Sequence, residues 1–114
     1  MRDLTQEEID LALDDNGESE EGCIAIESTT TELAAKKTGT CCGIVGNHCF
    51  TALPPGRLVR GWYDPKDNVF MGMIHIECTE DESERIEELA GEAEGSLRAS
   101  GSSLWNGFCE FEIE

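Results

Sequence analysis

The residue types best suited to chemistry gather in one short stretch. Cys41, Cys42, His48 and Cys49 lie within nine residues, and His75 and Cys78 follow on a segment that sheet pairing would bring near them. Thiolate and neutral imidazole are the usual zinc ligands. One expectation is therefore a metal- or thiol-dependent small protein using Cys41, Cys42, His48 and Cys49, with zinc as its cofactor. The spacing is C-C-x5-H-C rather than two C-x2-C knuckles, and adjacent Cys41 and Cys42 point to opposite faces of any strand that holds them. The plainer reading makes Cys23, Cys78 and Cys109 small apolar residues on core strands. His75 has the chemistry of a general base, with Glu77 on the same strand face to orient it, but no nucleophile stands beside it in sequence. Gly43 and Gly46 lack the helix and lysine of a phosphate-binding loop. The leading expectation is a protein with no catalytic residues and no cofactor.

Charge points elsewhere. The 114 residues hold 25 acids against 8 Lys and Arg, a formal net charge of −17. Such a surface repels polyanions, which argues against direct binding to nucleic acid or an anionic membrane. The acids fall in bands. Residues 1–27 carry ten acids and one base, and residues 77–94 carry nine and one, whereas residues 28–76 hold three acids and five bases. Salt adaptation would spread acid nearly everywhere, so the banding favours dedicated acidic faces. No apolar run reaches the roughly 18 residues that span a bilayer, and no apolar segment follows a basic start, so the expected location is cytoplasmic, with reduced cysteines.

The elements that must position these residues read as one α+β domain over 1–114, with an N-terminal helix in 1–17, an acidic loop in 18–22 and the core in 23–114. Thr5 and Glu8 form a capping-box pattern, and Leu4 can staple onto Ile9. A short strand is expected at Cys23–Glu27 and a second helix after Thr29, ending near Lys36, Lys37 and Gly39. The interrupted segment Thr40–Leu53 reads as a bulged or edge strand. Arg57 to Cys78 reads as a hairpin turning at 64–68, with Phe70, Ile74, Ile76 and Cys78 facing the core. Thr79 and Glu82 repeat the capping pattern and open a third helix, with Ile86, Leu89, Ala90, Ala93 and Leu97 as its apolar stripe. A loop at 100–103 and a strand at 104–113 close the chain. The expected sheet is mostly antiparallel, with four to five strands and helices on one face, and with a ferredoxin-like order from residue 23 onward.

Opposite that stripe stand Glu80, Asp81, Glu84, Glu87, Glu88 and Glu92, with Arg85 the one base among them. Residues four apart on a helix rise about 6 Å along the axis, so these acids form a ridge whose spacing lies within a factor of two of strand phosphates. The opening MRDLTQEEIDLA resembles the start of many small phage-encoded proteins. Small size and acidity are also similar to phage counter-defence proteins, including anti-CRISPR inhibitors and restriction-blocking DNA mimics. The opening is also similar to double-glycine leader peptides of exported bacteriocins, but Asp14-Asp15-Asn16-Gly17 stands where those carry Gly-Gly. The counter-defence resemblance implies an inhibitor inside a host cell that binds the basic nucleic-acid-binding surface of a protein or complex, such as a CRISPR effector. Its contacts would be the six third-helix acids, with Asp14, Asp15, Glu18, Glu20 and Glu21 as a second acidic block. Arg57, Arg60 and Trp62 would supply a further contact patch.

Overall fold

Alternation of large apolar residues in the expected hairpin sets the centre of the fold. The computed structural model describes residues 2–13, 22–35, 37–38, 41–42, 44–45, 48–49, 54–66, 69–92 and 97–113. In chain order these form β1 (Arg2–Asp3), α1 (Gln6–Glu8, continued by a turn of π-helix, Ile9–Leu13), β2 (Ile24–Thr29) and α2 (Thr30–Ala35). Four two-residue strands follow, β3 (Lys37–Thr38), β4 (Cys41–Cys42), β5 (Ile44–Val45) and β6 (His48–Cys49). Then come β7 (Leu58–Asp64), β8 (Val69–Glu77), α3 (Glu80–Glu92), β9 (Leu97–Ser102) and β10 (Phe108–Ile113).

The principal sheet has six strands in the order β1-β2-β7-β8-β10-β9, and every ladder in it is antiparallel. The class is α+β, but the count exceeds the four to five strands expected. The additional strands are both at edges. Two-residue β1 is too short to show a period, and β9 reads L-R-A-S-G-S, a composition that favours loops. What holds β9 as a strand is the ladder it forms with β10, which includes a bulge at Ser100 where Gly101 and Ala99 face consecutive residues of β10. The apolar stripe assigned to the third helix therefore overran, because Leu97 belongs to β9. Lys37, expected at a helix end, lies in β3.

The order is not ferredoxin-like. That arrangement inserts a strand between the two that flank a helix. Here β2 and β7, the strands of this sheet on either side of α2, pair directly, although β10 does lie between β8 and β9, which flank α3. Residues 40–53, expected as one interrupted strand, instead contribute β4, β5 and β6 to two separate two-stranded ladders, β3-β4 and β5-β6.

The helices cover both faces of the sheet rather than one. Leu33 of α2 and Ile86 of α3 pack with Ile26, Val59, Tyr63, Phe70, Ile74, Ile76 and Phe111 in the main core. Gly61 lies in that core because a Cβ there would stand 3.1 Å from both Ile74 and Phe70 side-chain atoms. On the other face, Leu4 and Ile9 of the N-terminal segment pack with Ala25, Leu58, Trp62, Trp105 and Phe108. Trp105 falls within the strand expected at 104–113, but β10 starts only at Phe108, and Trp105 belongs to this second cluster. Both capping boxes form. Glu8 N–H donates to Thr5 Oγ1 at 3.3 Å while Thr5 N–H donates to Glu8 Oε1 at 2.9 Å, and Thr79 and Glu82 exchange the same pair at 3.2 Å each. No helix among the described residues is long and apolar enough to cross a membrane.

Candidate functional site

The acids of α3 divide by helical phase. Ser83 and Ile86 are buried and fix the inward side of the helix. At about 100° per residue, Glu80, Glu84 and Glu87 then fall on the flank facing β9, while Asp81, Arg85 and Glu88 point outward. The contacts agree with that phase. Glu80, Ser83 and Glu84 line a groove of about 290 Å³ together with Ala99 and Gly101 of β9 and Cys109 of β10. Further along, Glu87 Oε2 accepts the Ala99 N–H at 2.6 Å. The expected single ridge is thus a groove wall of three acids with an outer pair beside it. All five acids are exposed. The side chain of Glu92 lies outside the described residues, as do Asp14, Asp15, Glu18, Glu20 and Glu21.

Where the bases stand explains why the acids remain uncompensated. Arg57 pairs with Glu82, tying the start of β7 to the first turn of α3. Arg2 and Arg60 are held by Glu8 and Glu27 in an alternating square. Glu27 takes Arg60 on Oε1 at 2.7 Å and Arg2 on Oε2 at 2.7 Å, and Glu8 Oε2 lies 3.0 Å from Arg2 and 3.5 Å from Arg60. Hydrogen bonds from Arg2 draw the Glu8 carboxyl down to about 2. Burial alone would raise Glu27, but hydrogen bonds from Arg2 and Arg60 outweigh it and hold that carboxyl below its usual value. The Arg60 guanidinium also lies 4.8 Å from the ring centres of both Trp105 and Phe108, a cation–π arrangement. The basic patch expected from Arg57 and Arg60 is therefore internal wiring.

That square continues across the sheet. Cross-strand register aligns Arg2, Glu27, Arg60, His75, Glu110 and Gly101, one residue from each of the six strands. His75 is fully buried in this row. Its Nδ1 lies 2.9 Å from Ser103 Oγ, and its ring meets Trp105 edge-on at 4.8 Å. Ser103 Oγ also accepts the Trp105 N–H at 3.1 Å, and its bond with Nδ1 runs in the direction set by which ring nitrogen carries the proton. Nε2 faces Glu110 Oε2 at 3.7 Å, too long for a hydrogen bond. Burial, with the nearby Arg60 charge, lowers the imidazole to about 4, so His75 is neutral near pH 7. Glu77, expected to orient it, sits opposite Phe108 instead. The Ser103–His75–Glu110 trio has the residue types of a catalytic triad. Its serine is committed on both sides and its histidine is sealed from solvent, so it works as a clamp on the 103–108 turn.

The thiols give a similar outcome. Cys78 and Cys109 are buried free thiols, and Cys23 is partly buried. Cys109 Sγ donates toward the Cys78 and Thr79 carbonyls at 3.6 and 3.8 Å. Burial, with Cys109 beside it, pushes the Cys78 thiol up to about 12, leaving it almost entirely in the unreactive protonated form. The backbones of Cys41, Cys42, His48 and Cys49 form β4 and β6, and their side chains lie outside the described residues. Among the described residues, no three His, Cys, Asp or Glu side chains gather closely enough to hold a metal ion.

Sequence reasoning missed the polar row, because its members lie far apart in the chain and each one alone looks like an ordinary strand residue. Period-two alternation did place Arg60 and His75 on strands, but only the register brings them together. Comparison with family models, with curated proteins and with solved structures returns no match, so the functional reading rests on the chain's own residues.

Proposed function

We propose that this protein is a non-catalytic inhibitor of the phage counter-defence type, anti-CRISPR or a relative. It engages the basic nucleic-acid-binding surface of a target protein or complex inside the host cell through the acidic surface of α3. One observation carries the reading: Arg2, Arg57 and Arg60 are consumed in ion pairs with Glu8, Glu27 and Glu82, while Glu80, Asp81, Glu84, Glu87 and Glu88 stand exposed. A chain that places three of its eight bases on other acids and leaves these five exposed along α3, with Arg85 the one base on that helix, presents a concentrated negative surface. Such a surface attracts a partner built to hold phosphates, speeds association and weakens with salt.

The test is capture from host lysate with the intact protein and with a variant carrying Asp81→Lys, Glu84→Lys and Glu88→Lys. Glu87 and Glu82 stay in place so that their bonds to Ala99 and Arg57 survive. The intact protein should retain a nucleic-acid-binding protein that free DNA displaces. At about 1 kcal/mol per exposed charge contact, the variant should bind that partner roughly 100-fold more weakly. Equal retention by a folded variant would remove α3 as the contact surface.

A further inference from the structure

The outer edge of the principal sheet adjoins the acidic flank of α3, and the two together form more than a charged surface. Among the described residues β9 has no strand on its outer side. The Ala99 N–H is turned out of the ladder, since it donates to the Glu87 carboxylate. The bulge at Ser100 interrupts the ladder beside it, which leaves the Ala99 N–H as the donor on this edge. Beside this edge the groove descends between Glu80 and Glu84 to a floor of Ala99, Gly101 and Cys109. Its upper rim is anionic, its floor is small and largely apolar, and its wall offers a backbone donor.

We propose that this groove receives an extended basic segment of the partner, which pairs alongside β9 and inserts an arginine or lysine side chain between Glu80 and Glu84. The inference rests on the reading of α3 as a partner-binding surface and names what that surface takes. Charge complementarity selects the side chain, and the aliphatic stem of Arg or Lys suits the Ala99 and Gly101 floor. A carbonyl of the incoming segment replaces Glu87 at the Ala99 N–H, as in strand addition to a sheet edge. The Glu87 carboxylate is then released to meet a second basic residue. In the free protein Glu87 caps the edge, which blunts strand-to-strand association between copies of the chain.

The probe is a capped octapeptide alternating arginine with threonine, titrated into the full-length protein at physiological salt and followed by anisotropy and amide NMR. Two variants with equal charge change separate the groove from the outer helix face: Glu80→Gln with Glu84→Gln, and Asp81→Asn with Glu88→Asn. The groove predicts at least tenfold weaker binding for the first pair, less than threefold for the second, and slowed exchange of the Ala99 amide on binding. Equal losses for the two pairs, or an unprotected Ala99 amide in the complex, would overturn the groove while leaving a purely electrostatic role for α3 intact. Failure of the peptide to bind at millimolar concentration would also overturn it. Loss of α3 dependence in the lysate capture would instead remove the underlying reading.

Discussion

Acidification should unlock this fold through His75, beginning at a higher pH than the loss of the Glu8 contribution. The imidazole is fully buried and lowered to about 4 in the folded protein, against 6.5 when exposed. Above pH 6.5 neither state binds the proton, and the stability is fully present. As pH falls below 6.5 the unfolded chain takes up a proton that the folded chain refuses, so stability declines until the folded group titrates near 4. At 1.36 kcal/mol per pKa unit, the whole loss is about 3 kcal/mol. Taken at pH 5, the linkage gives about 2 kcal/mol relative to pH 7. Glu8 is drawn to about 2 from 4.5, so its contribution fades only below that upper value, and between pH 6.5 and 4.5 the loss through His75 is not joined by one through Glu8. The assay is urea unfolding at pH 7, 6 and 5, followed through Trp105, whose ring contacts His75 edge-on. The comparison is with His75→Gln, which shares every carboxylate and lacks the imidazole. The variant is expected to be less stable at pH 7, having lost the ring's packing, yet to lose about 2 kcal/mol less between pH 7 and 5. Parallel declines in the two proteins, or an NMR titration of His75 near 6.5, would refute the reasoning.

Three further outcomes follow from single contacts. Gly61→Ala places a methyl 3.1 Å from Ile74 and Phe70 side-chain atoms and 3.2 Å from the Met73 carbonyl, so it should cost about 1–3 kcal/mol in chemical denaturation, as overpacking does. Thr79→Ala removes the hydroxyl that caps Glu82 N–H at 3.2 Å and should cost about 1 kcal/mol, with helical signal lost from the first turn of α3. Arg2→Gln removes the hydrogen bonds that are the largest cause of the low Glu8 value. Carboxyl NMR should then show Glu8 titrating well above 2, and an unchanged titration would mean that Arg60 and Thr5 suffice to hold it.

Local signals in the chain carried local structure well. Thr5 with Glu8 and Thr79 with Glu82 announced two helix starts, because a capping box is complete within four residues and depends on nothing distant. The 57–78 hairpin was legible for the same reason. What escaped were features decided by register. Arg60, His75 and Glu110 lie on three strands, and no periodicity within any one of them shows that they share a row. The side of the sheet taken by α1 was equally hidden. Leu4 and Ile9 announce an apolar contact, but only the pairing of β1 with β2, and the Leu4 N–H bond to the Ala25 carbonyl at 3.0 Å, put them opposite α2 and α3.

The same distinction decides how the acidic reading is carried. Charge banding along the chain locates acids but not what neutralises them, and a band of nine acids beside one of five bases is equally compatible with a paired, featureless surface. Register excludes that outcome for the bases it places. Arg60 is aligned with Glu27 on one side and His75 on the other, so its charge turns to the face opposite α3 and is used in holding the N-terminal segment. Arg57, just before β7, reaches α3, but it engages Glu82, whose backbone N–H is already part of the capping box. Neither base reaches the flank of Glu80, Glu84 and Glu87. The bareness of that flank is a consequence of strand pairing, and a substitution that shifted the β2–β7 register by one residue would turn Arg60 to the α3 face.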